Sequence, residues 1–487
     1  MKQITSWTLP IMQAFFLCEF FSRFRGRKTS IRPSAEFDSL YKRVGPRLSL
    51  SSYDPFGVSG YLPSSFSSNI SSSCCSSVSW PPQQFQQQEP SCFFYSPSTY
   101  VPLSPPQSVV GQPTCSDMNS QVLEHVLEHA AIAPSILAGD HTSPETRWRE
   151  WVDLESRRRL LAACFVVDVH TGVYQEQPCV QSMGLLETET LASGLPIPLS
   201  DPTAALWEMQ DAEAWVRSFG TSESPFGRLL SNLSPGELTK ENVDCFSPFD
   251  RAVVLAAEAL QLPRRPDPEI MDRASMAHPT ADPAVERILA LFPDSPLANA
   301  YVALHYTPLH DLLAVSGDTW VFGLKVKYQS SFKEQQERLR RWANSPAAAA
   351  ATVHASRALT AFLEGGDRMT DGSGKERTWR DDISDYWGMY VCALICWAYG
   401  HPVGRRSGLA ASENNEEDAM AWLRAMATGA AAGSDAEARE RRRGAGRVVV
   451  LVRARLEEDC IGSKNRLYVD AITILKKLIE GANWPWF

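Results

Sequence analysis

The stretch SPETRWREWVDLESRRRLLAACFVVDVHTGVY, residues 143–174, leaves its backbone little choice. Ser143 is a suitable N-cap, Pro144 fits the first helical position where no amide is needed, and Glu145 meets the positive end of the helix dipole. Trp148, Trp151, Val152, Leu154, Leu160, Leu161, Cys164, Phe165 and Val167 then form a wide apolar face at a 3.6-residue period. The spacing predicts one long, buried helix on which Trp148, Trp151, Glu155 and Arg158 make a packed, salt-bridged face. Such a helix is stable only if other elements cover it.

The sequence supplies helices for that purpose. From about residue 119 to the end, segments with helical periodicity follow one another, separated by Pro- and Gly-rich connectors such as ASGLPIPLSDPT, and no segment reads as a run of strands. Residues 330–365 read as two helices divided at Pro346, the second alanine-rich for close packing. Residues 411–447 read as a short helix with an acidic start, then an exposed loop carrying Arg441 to Arg443. The ending NRLYVDAITILKKLIEGANWPWF reads as an amphipathic helix docked by Leu467, Ile472, Leu475 and Leu478. The fold class is all-α: about a dozen helices in one large multi-helix domain over 119–487.

Residues 22–118 have a different texture. SSFSSNISSSCCSSVSWPPQQFQQQEPSCFFYSPSTYVPLSPPQ is serine, proline and glutamine with isolated aromatics, too poor in apolar residues to bury a core. The expectation is a disordered N-terminal arm over 1–118. It opens with MKQITSWTLPIMQAFFLCEFF, where Pro10 and Glu19 interrupt the apolar run and no small-residue cleavage site follows, so a secretory leader is disfavoured. Next to it Arg23, Arg25, Arg27, Lys28 and Arg32 gather in SRFRGRKTSIRP. That cluster suits nuclear import or contacts with phosphate, and equally a solvated basic tail.

Charge and cysteine usage narrow the function classes. With 47 basic against 56 acidic residues and a net charge of -9, the whole molecule has no electrostatic pull toward nucleic acid, and any such contact is local. The 11 cysteines are scattered, as in reduced nuclear or cytosolic proteins. No stretch approaches the roughly 20 apolar residues of a membrane helix, so no membrane partner is expected.

Three short motifs suggest metal chemistry and lack the rest of their sites. Asp381, Asp382 and Asp385 in RDDISDYWG have the D-D-x-x-D spacing that bridges magnesium to a prenyl diphosphate. No second ligand cluster accompanies them, and Ile383, Tyr386, Trp387, Tyr390 and Val391 run on at helical period, so they read as helix-start charges. His125, Glu128 and His129 have the H-x-x-E-H spacing of an inverted zinc-peptidase helix, with no third ligand singled out. Cys392 and Cys396 sit one turn apart in an apolar helix, as packed core thiols do. Neither a nucleophile elbow nor a glycine-rich phosphate loop is present. No enzyme activity, catalytic residue or bound metal is expected.

Five ordered stretches carry a resemblance: RWREWVDLESRRRLLAACFVVDVHTGVYQEQP (147–178), LPIPLSDPTAALWEMQDAEAW (195–215) with Leu206, Trp207 and Trp215, TPLHDLLAVSGDTWVFGLKV (307–326), DYWGMYVCALICWAYGH (385–401) and YVDAITILKKL (468–478). Together they resemble the regulatory domain of fungal-specific transcription factors, in the branch usually paired with C2H2 zinc fingers. In the first stretch the family has a Trp/Glu/Arg helix followed by an aromatic helix. The resemblance implies an all-helical module controlling activity and self-association, a nuclear location, and regulation of a pathway-specific gene cluster such as one for secondary metabolism. It also implies DNA, the transcription machinery, and a homo- or heterodimer partner. The family would bring zinc, yet neither its C2H2 pattern nor a six-cysteine cluster occurs in this sequence. DNA would then be reached through a partner regulator, through the basic arm, or through fingers encoded outside this sequence.

Overall fold

Four further helix starts repeat the punctuation read at Ser143. Ser or Asp stands before proline at Ser143-Pro144, Ser247-Pro248, Asp282-Pro283, Ser295-Pro296 and Ser345-Pro346, and each side-chain oxygen accepts an amide of the first turn at 2.9–3.3 Å. Proline needs no donor partner there and its φ is already helical, so each pair marks a sharp entry. The computed structural model describes residues 7–25, 37, 39–40, 143–175, 196–197, 201–221, 228–229, 238–262, 282–317, 320–321, 324–325, 329–365, 385–400, 415–429, 435–458 and 466–480. These residues lie in one unit drawn from Met1–Ser51 and His129–Phe487.

The described residues form fifteen helices. In chain order they are α1 (Leu9–Arg25), α2 (Pro144–Gln175), α3 (Asp201–Trp207), α4 (Ala212–Thr221), α5 (Lys240–Asp244), α6 (Pro248–Ala259), α7 (Pro283–Leu291), α8 (Pro296–His305), α9 (Leu309–Ser316), α10 (Gln329–Ala343), α11 (Pro346–Gly365), α12 (Asp385–Gly400), α13 (Asn415–Ala427), α14 (Asp435–Glu458) and α15 (Arg466–Ile479). The all-α class holds. Two short antiparallel ladders accompany the helices: β1 (Pro196–Ile197) pairs with β2 (Arg228–Leu229), and β3 (Trp320–Val321) with β4 (Leu324–Lys325). Two-residue strands have no length over which an alternation could show, which is why the sequence reads as strand-free.

α12 is the hub. From Tyr386 to Gly400 all its residues but Trp397 are buried, and α11 and α14 pack along it, with α8, α9, α10 and α15 also touching it. The aspartates of RDDISDYWG divide accordingly: Asp385 is the first residue of α12, while Asp381 and Asp382 lie outside the described residues, as do His125, Glu128 and His129. α11 continues the layer through α8 and α13, and α2 extends it through α6, α4 and α1. The split at Pro346 occurs as expected. α15 docks by Leu467, Leu475 and Leu478 with Ile472 half-buried, and the Tyr468 hydroxyl donates to the Leu456 carbonyl of α14.

Three expectations need correction. The one long helix read from the spacing of residues 143–174 is present, unbroken over Pro144–Gln175, so it is the two helices implied by the family resemblance that do not occur here. Arg441 to Arg443 lie within α14, not in an exposed loop. Two glycines serve helix contact there: a Cβ on Gly444 would run into the Trp422 indole of α13, and one on Gly400 of α12 would lie 2.5 Å from the Arg442 carbonyl oxygen. Close approach of helices 12, 13 and 14 overrides glycine's poor helix propensity, and Arg442 lies over the Tyr399 ring at 4.9 Å while donating to Asn344 at 2.8 Å. Third, the arm expected to be disordered from residue 1 contains α1, which packs on α2 and α15. The domain boundary near 118 lies outside the described residues.

Candidate functional site

α1 carries the first two members, Arg23 and Arg25, of the basic cluster singled out in the sequence, and it places Arg23 where no partner molecule reaches it. Met12 and Glu19 face inward, and Arg23 one turn beyond Glu19 is fully buried. Arg23 Nε donates to Glu19 Oε1 at 2.8 Å, an i,i+4 pair, and Nη1 donates to Thr171 Oγ1 of α2 at 3.0 Å. Asp168 of α2 stands 3.6 Å from the same Nη1, and the guanidinium carbon lies 4.4 Å from the Phe37 ring centre. The reading of Arg23 as an import or phosphate contact is therefore corrected: burial between two carboxylates takes it out of solvent. Arg25 is the last residue of α1, and Arg27, Lys28 and Arg32 lie outside the described residues.

Glu19, Asp168, Thr171 and Phe37 are the residues that sequence reasoning missed. One signal was legible. A glutamate inside FFLCEFF cannot be buried alone, and an arginine four residues on is its natural helical partner. Asp168 had no such local signature. Cys164 lies on the same face of α2, and burial first, then the negative charge of Asp168, push its thiol far above the ordinary value. It is an inert core thiol.

A second cluster sits at the other end of α2. Trp151 lies 5.7 Å from Trp215 and 6.3 Å from Trp207 between ring centres, with Leu206 and Phe219 completing the group. Beside it Glu155 is 3.1 Å from Arg159 Nε and 3.6 Å from Arg158 Nη1, and Arg159 covers the half-exposed Trp207 at 3.9 Å. The expected Trp151–Glu155–Arg158 face is present, with Arg159 added. Burial lifts the Glu155 carboxyl above its usual range even with both arginines beside it.

The core polar groups between helices are structural in the same sense. Arg338 of α10 grips Asp311 of α9 as a fork at 2.9 and 2.8 Å. Burial raises Asp311, but the hydrogen bonds from His310 and Arg338 outweigh it and hold the carboxyl below its ordinary value. His354 of α11 meets Asn299 of α8 at 3.2 Å and is held down to about 4, by burial first and by the charge of Arg357 second. Above its ordinary 6.5 this histidine is neutral folded or unfolded. As pH falls from there toward 4 the unfolded chain takes up a proton that the folded chain refuses, so stability drops by at most about 3 kcal/mol. His354→Gln is expected to flatten that acid limb, measured as urea midpoints between pH 7 and pH 4.

Zinc of the kind the family resemblance implies does not fit the described residues. Cys392 and Cys396 are wholly buried in α12, where burial pushes Cys392 well up and Cys396 to about 12, and no third ligand is placed with them among the described residues. Among the described residues no group of three or more His, Cys, Asp or Glu is placed to hold a metal, and no helix is long and apolar enough to cross a membrane.

Comparison with known proteins gives a distant relative. The nicotinate catabolism cluster-specific transcription factor of Emericella nidulans is 26% identical to this chain over 311 residues, covering 54% of the chain and 33% of that protein. The match thus spans about a third of the relative's length. No family model matches the chain, and no solved structure does.

Proposed function

We propose that this chain is a transcriptional regulator, acting in the nucleus on a pathway-specific set of genes. The observation that carries the reading is the alignment of about half the chain with a curated pathway-specific transcription factor. Support also comes from the five sequence stretches that resemble a fungal regulatory domain. Their described residues fall, in order, mostly on helices or ladders of the fold. A gene cluster for secondary metabolism is the proposed target class, on the resemblance alone. No role in this proposal calls for catalysis or a cofactor.

DNA is engaged in two parts. The basic segment supplies a salt-sensitive grip on phosphate, or the import signal, and a partner regulator, bound as a homo- or heterodimer, supplies choice of sequence and contact with the transcription machinery. The rival reading, a co-regulator or scaffold that never touches DNA, draws on the net charge of -9 and the missing finger pattern.

The test changes the residues of the segment beyond Arg23. Arg25, Arg27, Lys28 and Arg32 are replaced together by Ala, with Arg23 kept because its loss would disturb α1. Four lost phosphate contacts reduce the slope of log affinity against log salt by about 3 to 4. The expected result is that reduction on duplex DNA, or a loss of nuclear signal from a fluorescent fusion. Unchanged DNA retention together with unchanged nuclear entry would rule out the basic segment and leave the co-regulator reading.

A further inference from the structure

We propose that the outer face of α1 is a self-association surface, on which a second copy of this chain docks its own α1, antiparallel, across a two-fold axis. This inference rests on the dimer in the reading above and adds the partner and the face.

α1 is polarised in reverse of an ordinary surface helix. Between Trp7 and Phe24 its only charged residues are Glu19 and Arg23, and both are buried, paired with each other and with Asp168 of α2. Met12 is buried on the same side, and Trp7, Leu9, Phe15 and Phe16 pack against the core, so the helix is firmly seated. The opposite face consists of Pro10, Gln13, Ala14, Leu17, Cys18 and Phe21, all exposed and none charged, with Leu17 at 61% and Phe21 at 60%. Surface helices normally turn apolar residues inward and charge outward. Here the fixed seat holds an apolar stripe in water, and covering that stripe is what a partner gains.

Two features select a second copy as the partner. A net charge of -9 opposes the approach of two chains unless the facing surfaces are uncharged, and this stripe is uncharged. Its order is also self-complementary. Positions 10, 14, 17 and 21 are spaced symmetrically, so an antiparallel pair with the two-fold between Ala14 and Leu17 sets Phe21 against Pro10 of the second copy and Leu17 against its Ala14. Each bulky side chain then meets a compact one. A 17-residue helix is about 25 Å long with a face about 10 Å wide. The pair therefore buries roughly 500 Å² in all, short of the roughly 1,200 to 2,000 Å² of a stable interface. The dimer is a weak one that dissociates on dilution.

Sedimentation of the full chain over a dilution series, together with bismaleimide cross-linking, tests this. The mass is expected to rise with concentration from the 54.0 kDa of one chain toward twice that. Leu17→Glu and Phe21→Glu each occur twice in a symmetric dimer and bury a charge there, so each weakens association at least about tenfold while the thermal transition stays in place. A mixture of Ala14→Lys chains with Leu17→Glu chains recovers association that neither shows alone, because only the mixed pair sets opposite charges against each other. The antiparallel pairing leaves the two Cys18 residues about 7 Å apart along the axis, so cross-linking joins wild-type chains and falls sharply in Cys18→Ser.

A single-chain mass at every concentration overturns the proposal, whether or not the face then proves to bind phosphatidylcholine vesicles. So does a dimer that both glutamate variants leave intact, a mixture that stays monomeric, or a wild-type cross-link yield in Cys18→Ser. A monomer still found at promoters sinks the interface alone, and a dimer that never reaches chromatin sinks the regulator reading alone.

Discussion

Trp151→Ala is expected to lower the unfolding free energy by about 3 to 5 kcal/mol. The indole is 1% exposed, and it is the contact through which α2 holds Leu206 and Trp215 of the two short helices α3 and α4. Those helices have 7 and 10 residues, too short to be stable alone, so they depend on this cluster for their position. Removing the ring leaves a hole that the two helices fill only by shifting together. Urea unfolding compared with the milder Trp151→Phe checks the expectation. A loss below about 1 kcal/mol in the alanine variant would mean that the cluster is not close-packed.

Glu155→Ala should cost about as much, roughly 3 to 5 kcal/mol, for an electrostatic reason. Arg158 is 3% exposed and an arginine does not give up its proton, so the variant buries a cation without its carboxylate. The carboxyl of Glu155 is itself pushed above its usual range by burial. Desolvation thus outweighs the attraction of Arg158 and Arg159, and the pair adds little over an apolar one although it is costly to split. Replacing Glu155 and Arg158 together by Met should therefore recover most of the loss, and urea unfolding of the single and double variants reads this directly. A double variant as unstable as Glu155→Ala would show that the pair stabilises on its own account.

Local chemistry explains what was legible in the sequence. The start of α2, the division at Pro346 and the docking face of α15 depend on caps, prolines and a 3.6-residue period, all set by residues within a turn or two of one another. The misread parts depend on distant partners. Arg23 looked like a free cation because Thr171, its hydrogen-bond partner, is 148 residues away and the Asp168 carboxylate lies one turn earlier on α2. Arg441 to Arg443 read as an exposed loop because nothing near them in sequence indicates the Trp422 ring that Gly444 makes room for. Of the candidate site, composition showed the cluster of cations, while the burial of Arg23 required the fold.

The two ends of α2 carry different parts of the functional account. The Trp151 and Glu155 end holds α3 and α4, and the Asp168 and Thr171 end seats α1. The whole account stands on the chain acting at genes. Genome-wide chromatin occupancy of a tagged full-length protein, paired with transcript levels after deletion of its gene, tests that most directly. The account predicts occupancy at the promoters of a limited, linked gene set whose transcripts change in the deletion strain. Absence of chromatin enrichment, together with an unchanged transcript profile under conditions where the protein is made, would contradict it.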